Sequence, residues 1–465
     1  LLICGTESGG VFKSIDKALN WELISKQEVF CNGITAVAID PDDDDIFYIS
    51  GNNRIYKTLD GGSNWTENFY LGASAYEIKF DPSDADHIYL VTANGLFESM
   101  DDGNNWTQVF SEACWDLDYH PTNSDIIYLL KSNPGAKKTE FYKSINNGNS
   151  WTLISNGWYT PQVFSEASEN GGKIAVSPDQ PSRVYACLIG NSKNGDNGWI
   201  GLYRSDDAGN SWYLPSGQIG GPYAAINTMP WNAAAYSSGY HQGFYNFDFE
   251  ASPDDADLMW FGTIRLNEST DGGYNYVSIG AANSIRLADI HADIQSIHIQ
   301  GSDIWIASDG GMNYSDDNLI THEALNYGII ASDFWGFGAG WNEDVLVGGK
   351  YHNGNTAYHE NYGLGYSHNV GGVEEATGYV NPLINKNVYF NQYWSGYTVS
   401  KLIPQYLGGS TQNLSPINLI PNESYLTSYS SGFYHHPLYA NEMIAGKDSI
   451  IWQSHDGGTS WQALH

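Results

Sequence analysis

The octapeptide SMDDGNNW (residues 99–106) decides the fold, because the chain repeats it with small changes. Further copies are TLDGGSNW (58–65), SHDGGTSW (454–461), SINNGNSW (144–151), SDDAGNSW (205–212), SIDKALNW (14–21) and STDGGYNY (269–276), and a worn copy, SDDN, starts at residue 315. The shared template is Ser/Thr-x-Asp-x-Gly-x-x-Trp. Repetition of this kind is typical of proteins built from one supersecondary unit used many times.

Each position of the template has a mechanical reason. The carboxylate and the hydroxyl can form hydrogen bonds inside a hairpin turn, and the glycine supplies a positive φ. The tryptophan can fold back and bury a large apolar surface against the sheet. We call these segments the acidic turns. We interpret the residues at the Asp position as structural rather than catalytic, because the same kind of side chain recurs in every repeat, whereas an active site needs different groups in different roles. The residues concerned are Asp16, Asp60, Asp101, Asn146, Asp207, Asp271 and Asp456.

A second repeat runs in register with the first. Pro41, Pro82, Pro121, Pro178 and Pro253 each begin a polar turn that precedes an apolar pair. We call these segments the proline turns. A strand before each proline turn, two strands between it and the acidic turn, and one strand after that turn make four strands per unit. The sequence therefore predicts an all-β protein, a β-propeller with four-stranded blades.

The spacing of the acidic turns predicts about ten blades over residues 1–465. The turn acids are 44, 41, 45, 61, 64 and 46 residues apart, and a final gap of 139 residues has room for two worn blades. We expect the first blade to lack its innermost strand. The ten units could close one sortilin-like ring or form part of a tandem pair of seven-bladed rings. The regular blades span residues 1–325, and the worn blades with the last acidic turn span residues 326–465.

Composition limits the partners. The chain carries 20 basic and 53 acidic residues, a formal net charge of −33, which would repel nucleic acid. No apolar run is long enough to span a membrane. Calcium is the cofactor that so many carboxylates would suit, and no other cofactor is indicated. The four cysteines in 465 residues do not form a disulfide framework, and we expect buried thiols.

The repeats resemble those of the Asp-box (BNR) superfamily, which includes sortilin-like propellers, two-propeller xyloglucanases and sialidases. The stretch at residues 239–273, IHADIQSIHI (290–299) and VGGKYHNGNTAY (347–358) are most similar to secreted surface proteins of Bacteroidetes. Relatives often have His-x-Asp-x-His where this chain has His291, Asp293 and Gln295. The resemblance implies an extracellular or outer-surface location, type IX secretion, and membership in a larger secreted polypeptide.

Aromatic residues outside the acidic turns are the candidate ligand contacts. Two long gaps imply insertions near residues 156–170 and 214–245, and loops on a rigid scaffold often carry function. The predicted ligand-binding residues are Trp158, Trp231, Tyr236, Tyr240 and Trp394. By contrast, Trp260, Trp305 and Trp452 lie within strands and are predicted to be core.

Polar residues alternate with apolar ones on three predicted innermost strands. Asp289, His291 and Asp293 alternate in LADIHADIQSI, and we name them as a candidate metal site. Asp116 alternates with Asp118 and Asp248 with Glu250, in the same way. The alternative is a hydrated channel lined by hydrogen-bonded polar groups.

Function follows less directly than fold. A sialidase needs three arginines on the substrate carboxylate, and the five arginines present fall largely in repeat strands and turns. We expect a non-catalytic secreted or cell-surface module that binds or adheres to a protein or glycan. One alternative is a glycoside hydrolase of the xyloglucanase type, which needs two carboxylates facing a cleft. A second alternative is a structural segment of a larger surface assembly.

Overall fold

The structure is a computed structural model. It describes residues 1–26, 33–136, 138–158, 168–191, 199–216, 245–332, 334–340, 344–350, 354–363, 366–371, 378–384, 387–392, 398–402, 412–413, 433–446 and 451–464. These residues form ten antiparallel sheets, nine of four strands and one of three. The all-β prediction and the number of blades are confirmed. In the part of the chain so described, no helix has the length and hydropathy needed to cross a membrane.

The chain divides into two compact units, Leu1–Ala331 and Ser332–His465. Unit 1 contains seven sheets, which we number as blades 1 to 7 in chain order. The strands are β1 (Leu2–Gly5), β2 (Val11–Ser14) and β3 (Glu22–Leu23) in blade 1; β4 (Ala36–Ile39), β5 (Phe47–Gly51), β6 (Arg54–Thr58) and β7 (Thr66–Tyr70) in blade 2; β8 (Ala75–Asp81), β9 (Asp84–Thr92), β10 (Gly95–Ser99) and β11 (Thr107–Phe110) in blade 3; β12 (Cys114–His120), β13 (Asn123–Asn133), β14 (Lys138–Ser144) and β15 (Thr152–Ile154) in blade 4; β16 (Ser168–Val176), β17 (Val184–Asn191), β18 (Trp199–Ser205) and β19 (Tyr213–Ser216) in blade 5; β20 (Asp248–Ala251), β21 (Met259–Gly262), β22 (Leu266–Ser269) and β23 (Val277–Gly280) in blade 6; and β24 (Ile294–Gln300), β25 (Asp303–Ser308), β26 (Gly311–Ser315) and β27 (Glu323–Ala324) in blade 7.

Unit 2 contains three sheets, blades 8 to 10, and one short 3-10 turn at Glu360–Tyr362. Its strands are β28 (Phe334–Ala339), β29 (Val345–Lys350), β30 (Gly354–His359) and β31 (His368–Gly371); β32 (Gly378–Val380), β33 (Val388–Gln392), β34 (Thr398–Leu402) and β35 (Gln412–Asn413); and β36 (Phe433–His435), β37 (Met443–Gly446), β38 (Ile451–Ser454) and β39 (Gln462–Leu464). The two worn blades predicted in the long gap are therefore present. A valine-rich core joins blades 8 and 9.

The acidic turns are braced by their own hydrogen bonds. In blade 3, the Ser99 hydroxyl donates to Asp101 at 3.0 Å and accepts the Gly103 N–H at 2.9 Å. The Asp101 carboxylate also accepts the Asn105 N–H at 2.8 Å and its side-chain amide at 2.6 Å. The two bonds of the hydroxyl recur in every blade of unit 1 and in blade 10. These contacts hold each hairpin in register without help from its neighbours.

Two acidic turns keep the same geometry although they have no glycine at the left-handed positions. In blade 1 the left-handed positions are filled by Lys17 (φ 60°) and Ala18 (φ 75°), and in blade 7 by Asn318 and Leu319. A left-handed non-glycine residue costs about 1–2 kcal/mol. The hydroxyl and carboxylate bonds of the turn offset this cost, so they define the turn more strongly than its glycine does.

Unit 1 closes into a ring between blades 7 and 1. The N–H of Trp21 donates to the Tyr327 carbonyl at 3.0 Å, and its indole Nε1 donates to the Leu325 carbonyl at 2.9 Å. Phe12 and Trp21 of blade 1 share one buried cluster with Trp305 of blade 7. Unit 1 is therefore a closed ring of seven blades. This is the ring size that the tandem-pair alternative predicted.

The ring has two faces. Each blade's outermost strand joins the next blade's innermost strand on one side, which we call the loop face. The acidic turns and proline turns lie on the other side, which we call the turn face. The innermost strands β4, β8, β12, β16, β20 and β24 contact each other in order and enclose a channel, and blade 1 lacks such a strand as predicted. The three strand tryptophans are core, with Trp260 fully buried.

Candidate functional site

Charged side chains line the channel of unit 1 on four successive innermost strands. They are Glu77 and Lys79 on β8, Asp116 and Asp118 on β12, Lys173 on β16, and Asp248 and Glu250 on β20. Charged residues two positions apart share one face of a strand. The alternation predicted for β12 and β20 is confirmed. Five carboxylates against two ammonium groups leave the channel acidic.

Two lysines connect the carboxylates of neighbouring blades. The Lys79 ammonium lies 3.2 Å from Glu77 and 2.9 Å from Asp118 of the next blade. The Lys173 ammonium lies 3.1 Å from Asp116 and 3.7 Å from Asp248, which flank it on either side. The channel charges therefore form one network that runs from blade 3 to blade 6.

Three of the carboxylates also join innermost strands through the backbone. Glu77 accepts the N–H of Leu117 at 3.4 Å, and Asp116 accepts the N–H of Ile174 at 2.6 Å. Asp248 accepts the N–H of Ile297 at 2.7 Å. In each case the acceptor lies on one blade and the donor on the next. These three residues are therefore fixed in place by the architecture.

Glu250 differs from the other channel carboxylates. Among the described residues, no lysine or arginine forms an ion pair with it. Burial, and then the charges of Asp248 and Asp118, raise the pKa of Glu250 well above its usual range. Glu250 therefore keeps its proton to higher pH than an exposed glutamate, which suits a hydrogen-bond donor or a general acid.

The pKa of Glu77 shifts in the opposite direction. Burial opposes its ionisation, but the charges of Lys79 and Lys173 hold its pKa below the usual range. Burial raises the pKa of both Asp116 and Asp118, in part against the pull of the lysines. The channel thus contains carboxyl groups whose pKa values are shifted in opposite directions. Carboxyl pairs whose environments separate their pKa values are the arrangement that acid–base chemistry uses.

An aromatic pair lies where these strands reach the loop face. Tyr76 and Trp115 have ring centroids 5.8 Å apart, and 40% of the Tyr76 side chain is exposed. Each residue occupies a position skipped by the pairing register, between Ala75 and Glu77 and between Cys114 and Asp116. These bulges turn two aromatic side chains out of the ladder at the mouth of the channel.

A polar group lies on the same face in blade 7. Asp309 accepts the Tyr245 hydroxyl at 3.0 Å and the side-chain amide of Gln295 at 2.9 Å. Gln295 is also skipped by its strand's register, between Ile294 and Ser296. The loop face therefore combines exposed aromatic surface with fixed polar groups, which is the composition of a site for a polar ligand.

The ligand-contact prediction for Trp158 requires correction. Its indole is 4% exposed and donates to the Thr139 carbonyl at 2.9 Å. The rings of Tyr203 and Trp212 lie 4.5 and 4.9 Å from it. The chain after β15 folds back, so this indole fills the space between blades 4 and 5. The other four predicted contacts, Trp231, Tyr236, Tyr240 and Trp394, lie outside the described residues.

The predicted metal residues do not converge. β24 begins at Ile294, so the segment before it is not a strand and the expected alternation is absent. Asp289 contacts Nε2 of His322 at 3.0 Å, and Asp293 accepts the side-chain amide of Asn246 at 3.1 Å. His291 contacts a backbone carbonyl. In the described residues, no three histidine, cysteine, aspartate or glutamate side chains form a cluster that could hold a metal ion.

Sequence reasoning missed Lys79, Lys173, Tyr76 and Trp115. A signal for the lysines existed, because alignment of the innermost strands on the prolines that follow them places YEIKF, WDLDY, GKIAV and FDFEA in register. Opposite charges on adjacent blades would have stood out there. No sequence signal marks the bulges that place the two aromatic residues at the mouth of the channel.

Comparison with known proteins agrees on the fold. A glycoside hydrolase family 74 (GH74) enzyme from Niastella koreensis has a TM-score of 0.52 at 14% identity, covering 99% of this chain and 76% of its own. An ancestral GH74 enzyme has a TM-score of 0.59 at 14% identity, covering 100% and 74%. The chain has a β-propeller fold. An auxiliary nutrient binding protein from Bacteroides thetaiotaomicron has a TM-score of 0.39 at 13% identity, covering 61% and 69%.

No protein-family profile matches this sequence, and no curated protein matches it in sequence. The two GH74 structures, at TM-scores of 0.52 and 0.59 and 14% identity, show the fold alone and leave the chemistry to be argued from the residues themselves.

Proposed function

We propose that this chain is a secreted or cell-surface binding module whose unit 1 recognises a glycan on its loop face. The observation that carries the proposal is the Tyr76–Trp115 pair at the mouth of a channel lined by carboxyl groups, where the exposed Tyr76 ring lies against the half-buried Trp115 ring. Aromatic rings provide flat apolar contact for the faces of sugar rings, and nearby carboxyl groups accept or donate hydrogen bonds to hydroxyls. A protein partner is the alternative ligand on the same face.

The wider assignment belongs to the same proposal. The repeated acidic turns support membership in the Asp-box superfamily, with an extracellular or outer-surface location. The acidic surface and the repetitive scaffold suit a polypeptide that works outside the cell as part of a larger secreted protein. The calcium prediction gains no support from Asp289, His291 and Asp293, and we do not carry it forward from them.

A glycan array followed by calorimetry with the best ligand tests the binding function. Replacement Tyr76→Ala should weaken binding at least about tenfold, because an aromatic contact contributes about 1.4 kcal/mol or more at a binding hot spot. Tyr274→Ala is the matched control, since Tyr274 is 47% exposed on the turn face. An equal loss in both variants, or binding to no glycan, would contradict the proposal.

A second candidate function is glycoside hydrolysis of the xyloglucanase type. The opposite pKa shifts of Glu250 and Glu77 favour it, because a glycosidase needs one protonated and one ionised carboxyl group. Reducing-sugar release from xyloglucan is the direct assay. Activity that disappears in Glu250→Gln would make this chain an enzyme, whereas no release from the folded wild-type chain would leave the binding function in place.

A further inference from the structure

Large apolar side chains are exposed at equivalent positions of four consecutive acidic turns. The residue between the Ser/Thr and the acidic residue is Ile15, Leu59, Met100 and Ile145 in blades 1 to 4, with exposures of 82%, 65%, 61% and 69%. Single exposed apolar residues are ordinary on protein surfaces. Here the repeat places one on the same corner of each adjacent blade, so they follow an arc of the turn face.

The apolar arc ends at blade 4, and the equivalent residues of the next three blades are polar. At the same position, blades 5, 6 and 7 carry Asp206, Thr270 and Asp316. The serine hydroxyl makes the same two hydrogen bonds in blade 3, which has the apolar residue, and in blade 5, which does not. The apolar residues are therefore not needed for the turn itself. Exposed large apolar side chains at the same position of four adjacent blades mark an interaction surface.

Acidic residues adjoin the apolar arc through fixed backbone contacts. The N–H of Gly61 donates to the Asp45 carbonyl at 2.9 Å, which ties the turn carrying Leu59 to the run Asp42–Asp45. The corresponding bonds in blades 3 and 4 join Asp102 to Asp86 and Asn147 to Asp125, each at 2.9 Å. The proline-turn carboxylates are exposed. Lys57 and Lys143, on the strands that lead into these turns, are buried.

We propose that the turn face of blades 1 to 4 binds a protein whose surface combines basic and apolar residues. Charge decides this partner. A second copy of this chain would bring −33 against −33, and nucleic acid and anionic lipid carry the same sign. A basic surface gains long-range attraction from the carboxylates, while its apolar side chains bury Ile15, Leu59, Met100 and Ile145. This surface lies on the face opposite to the proposed glycan site.

The test uses a synthetic helical peptide with leucine on one face and lysine on the other. Its affinity for the wild-type chain is measured by fluorescence anisotropy at low and high salt. Peptides with glutamate for lysine and with serine for leucine are the controls for charge and apolar contact. We expect binding of the leucine–lysine peptide alone, weakened by salt.

Two chain variants locate the surface. The combined replacement Ile15→Ser, Leu59→Ser, Met100→Ser and Ile145→Ser should weaken peptide binding about tenfold or more, with thermal unfolding recorded to show that the fold is retained. Ile285→Ser, at a 69% exposed isoleucine in a loop-face connection, should leave binding unchanged. Equal affinity of the combined variant and wild type, an equal loss in both variants, or no binding of the peptide would overturn the proposal. Glycan binding at the loop face is unaffected by either outcome.

Discussion

Nδ1 of His87 lies 3.2 Å from Oδ2 of Asp81, and both side chains are fully buried. The other ring nitrogen, Nε2, lies 3.0 Å from Glu98, whose carboxylate also accepts the Tyr89 hydroxyl at 2.6 Å. A histidine between two carboxylates donates to both only when it is protonated. The geometry of this network therefore favours a protonated, positively charged ring inside blade 3.

The first prediction concerns the pH dependence of this network. Burial would lower the pKa of His87, but its hydrogen bonds to Glu98 and Asp81 hold the pKa above its ordinary value. A raised pKa in the folded state gives stability that is complete below about pH 6.5, the unfolded value, and is lost as pH rises through the folded pKa. Thermal midpoints of unit 1 should fall through that alkaline window. His87→Gln should flatten the curve and destabilise the protein by about 3–5 kcal/mol, since it removes the cationic partner that lies between Asp81 and Glu98.

An exposed histidine provides the control for this series. His455 pairs with Glu442 at the surface of blade 10, with 53% of its side chain exposed. His455→Gln should leave the pH dependence of unit 1 unchanged. A midpoint that does not respond to pH between 6 and 9 in the wild type would refute the charged state assigned to His87.

The second prediction concerns ring closure. Trp21→Ala removes a 6% exposed indole and its bond to the Leu325 carbonyl, and it should cost about 3–5 kcal/mol. Urea denaturation measures this loss. Ile15→Ser alters an exposed side chain in the same turn and should change stability by less than about 0.5 kcal/mol. If Trp21→Ala were as stable as the wild type, blades 1 and 7 would not close the ring through this residue.

The third prediction concerns the turn hydroxyl. Ser99 is buried, and its hydroxyl accepts the N–H of Gly103 at 2.9 Å. Ser99→Ala should cost about 1–3 kcal/mol, the penalty for one unsatisfied buried donor. Ser63→Ala, at an exposed serine in the blade 2 turn, is the control. Equal unfolding midpoints for the two variants would count against the bracing role of the hydroxyl.

The fourth prediction concerns the channel network. Lys173→Met leaves Asp116 and Asp248 without their shared cation and should destabilise the protein by about 3–5 kcal/mol at neutral pH. The loss should be smaller at pH 5 than at pH 7, because burial raises the pKa of Asp116 and any gain of protons there as pH falls reduces the repulsion. Guanidinium titrations at the two pH values measure the difference. A loss independent of pH would indicate a packing effect alone.

The periodicity of the sequence was sufficient to predict the fold, because each blade contains its own turn motifs. Acidic turns, proline turns and alternating strands are local features, so blades 8 and 9 could be located even though their acidic turns have been lost. Ring closure could not be read in this way. The bonds from Trp21 to Leu325 and Tyr327 join residues some three hundred positions apart, and no local pattern records them.

The candidate site was predicted only in part, for a related reason. The alternation of Asp116 with Asp118 is a property of one strand and was visible. The partners Lys79 and Lys173 come from other blades, and the exposure of Tyr76 and Trp115 depends on bulges. The same kind of alternation gave a wrong prediction for Asp289 and His291. The periodic pattern does not reveal that the strand starts at Ile294, five residues after Asp289.

The bonds that brace unit 1 and the connections between its blades lie at opposite ends of its strands. Every acidic turn closes its own hairpin, so strand register does not depend on what connects one blade to the next. Strands β15 and β19 end, and β16 and β20 begin, at the end opposite to the turns, so the connections that join blades 4 to 6 meet strands whose register is already set. A scaffold of this kind separates the contacts that maintain strand pairing from the segments in which a different ligand preference could arise.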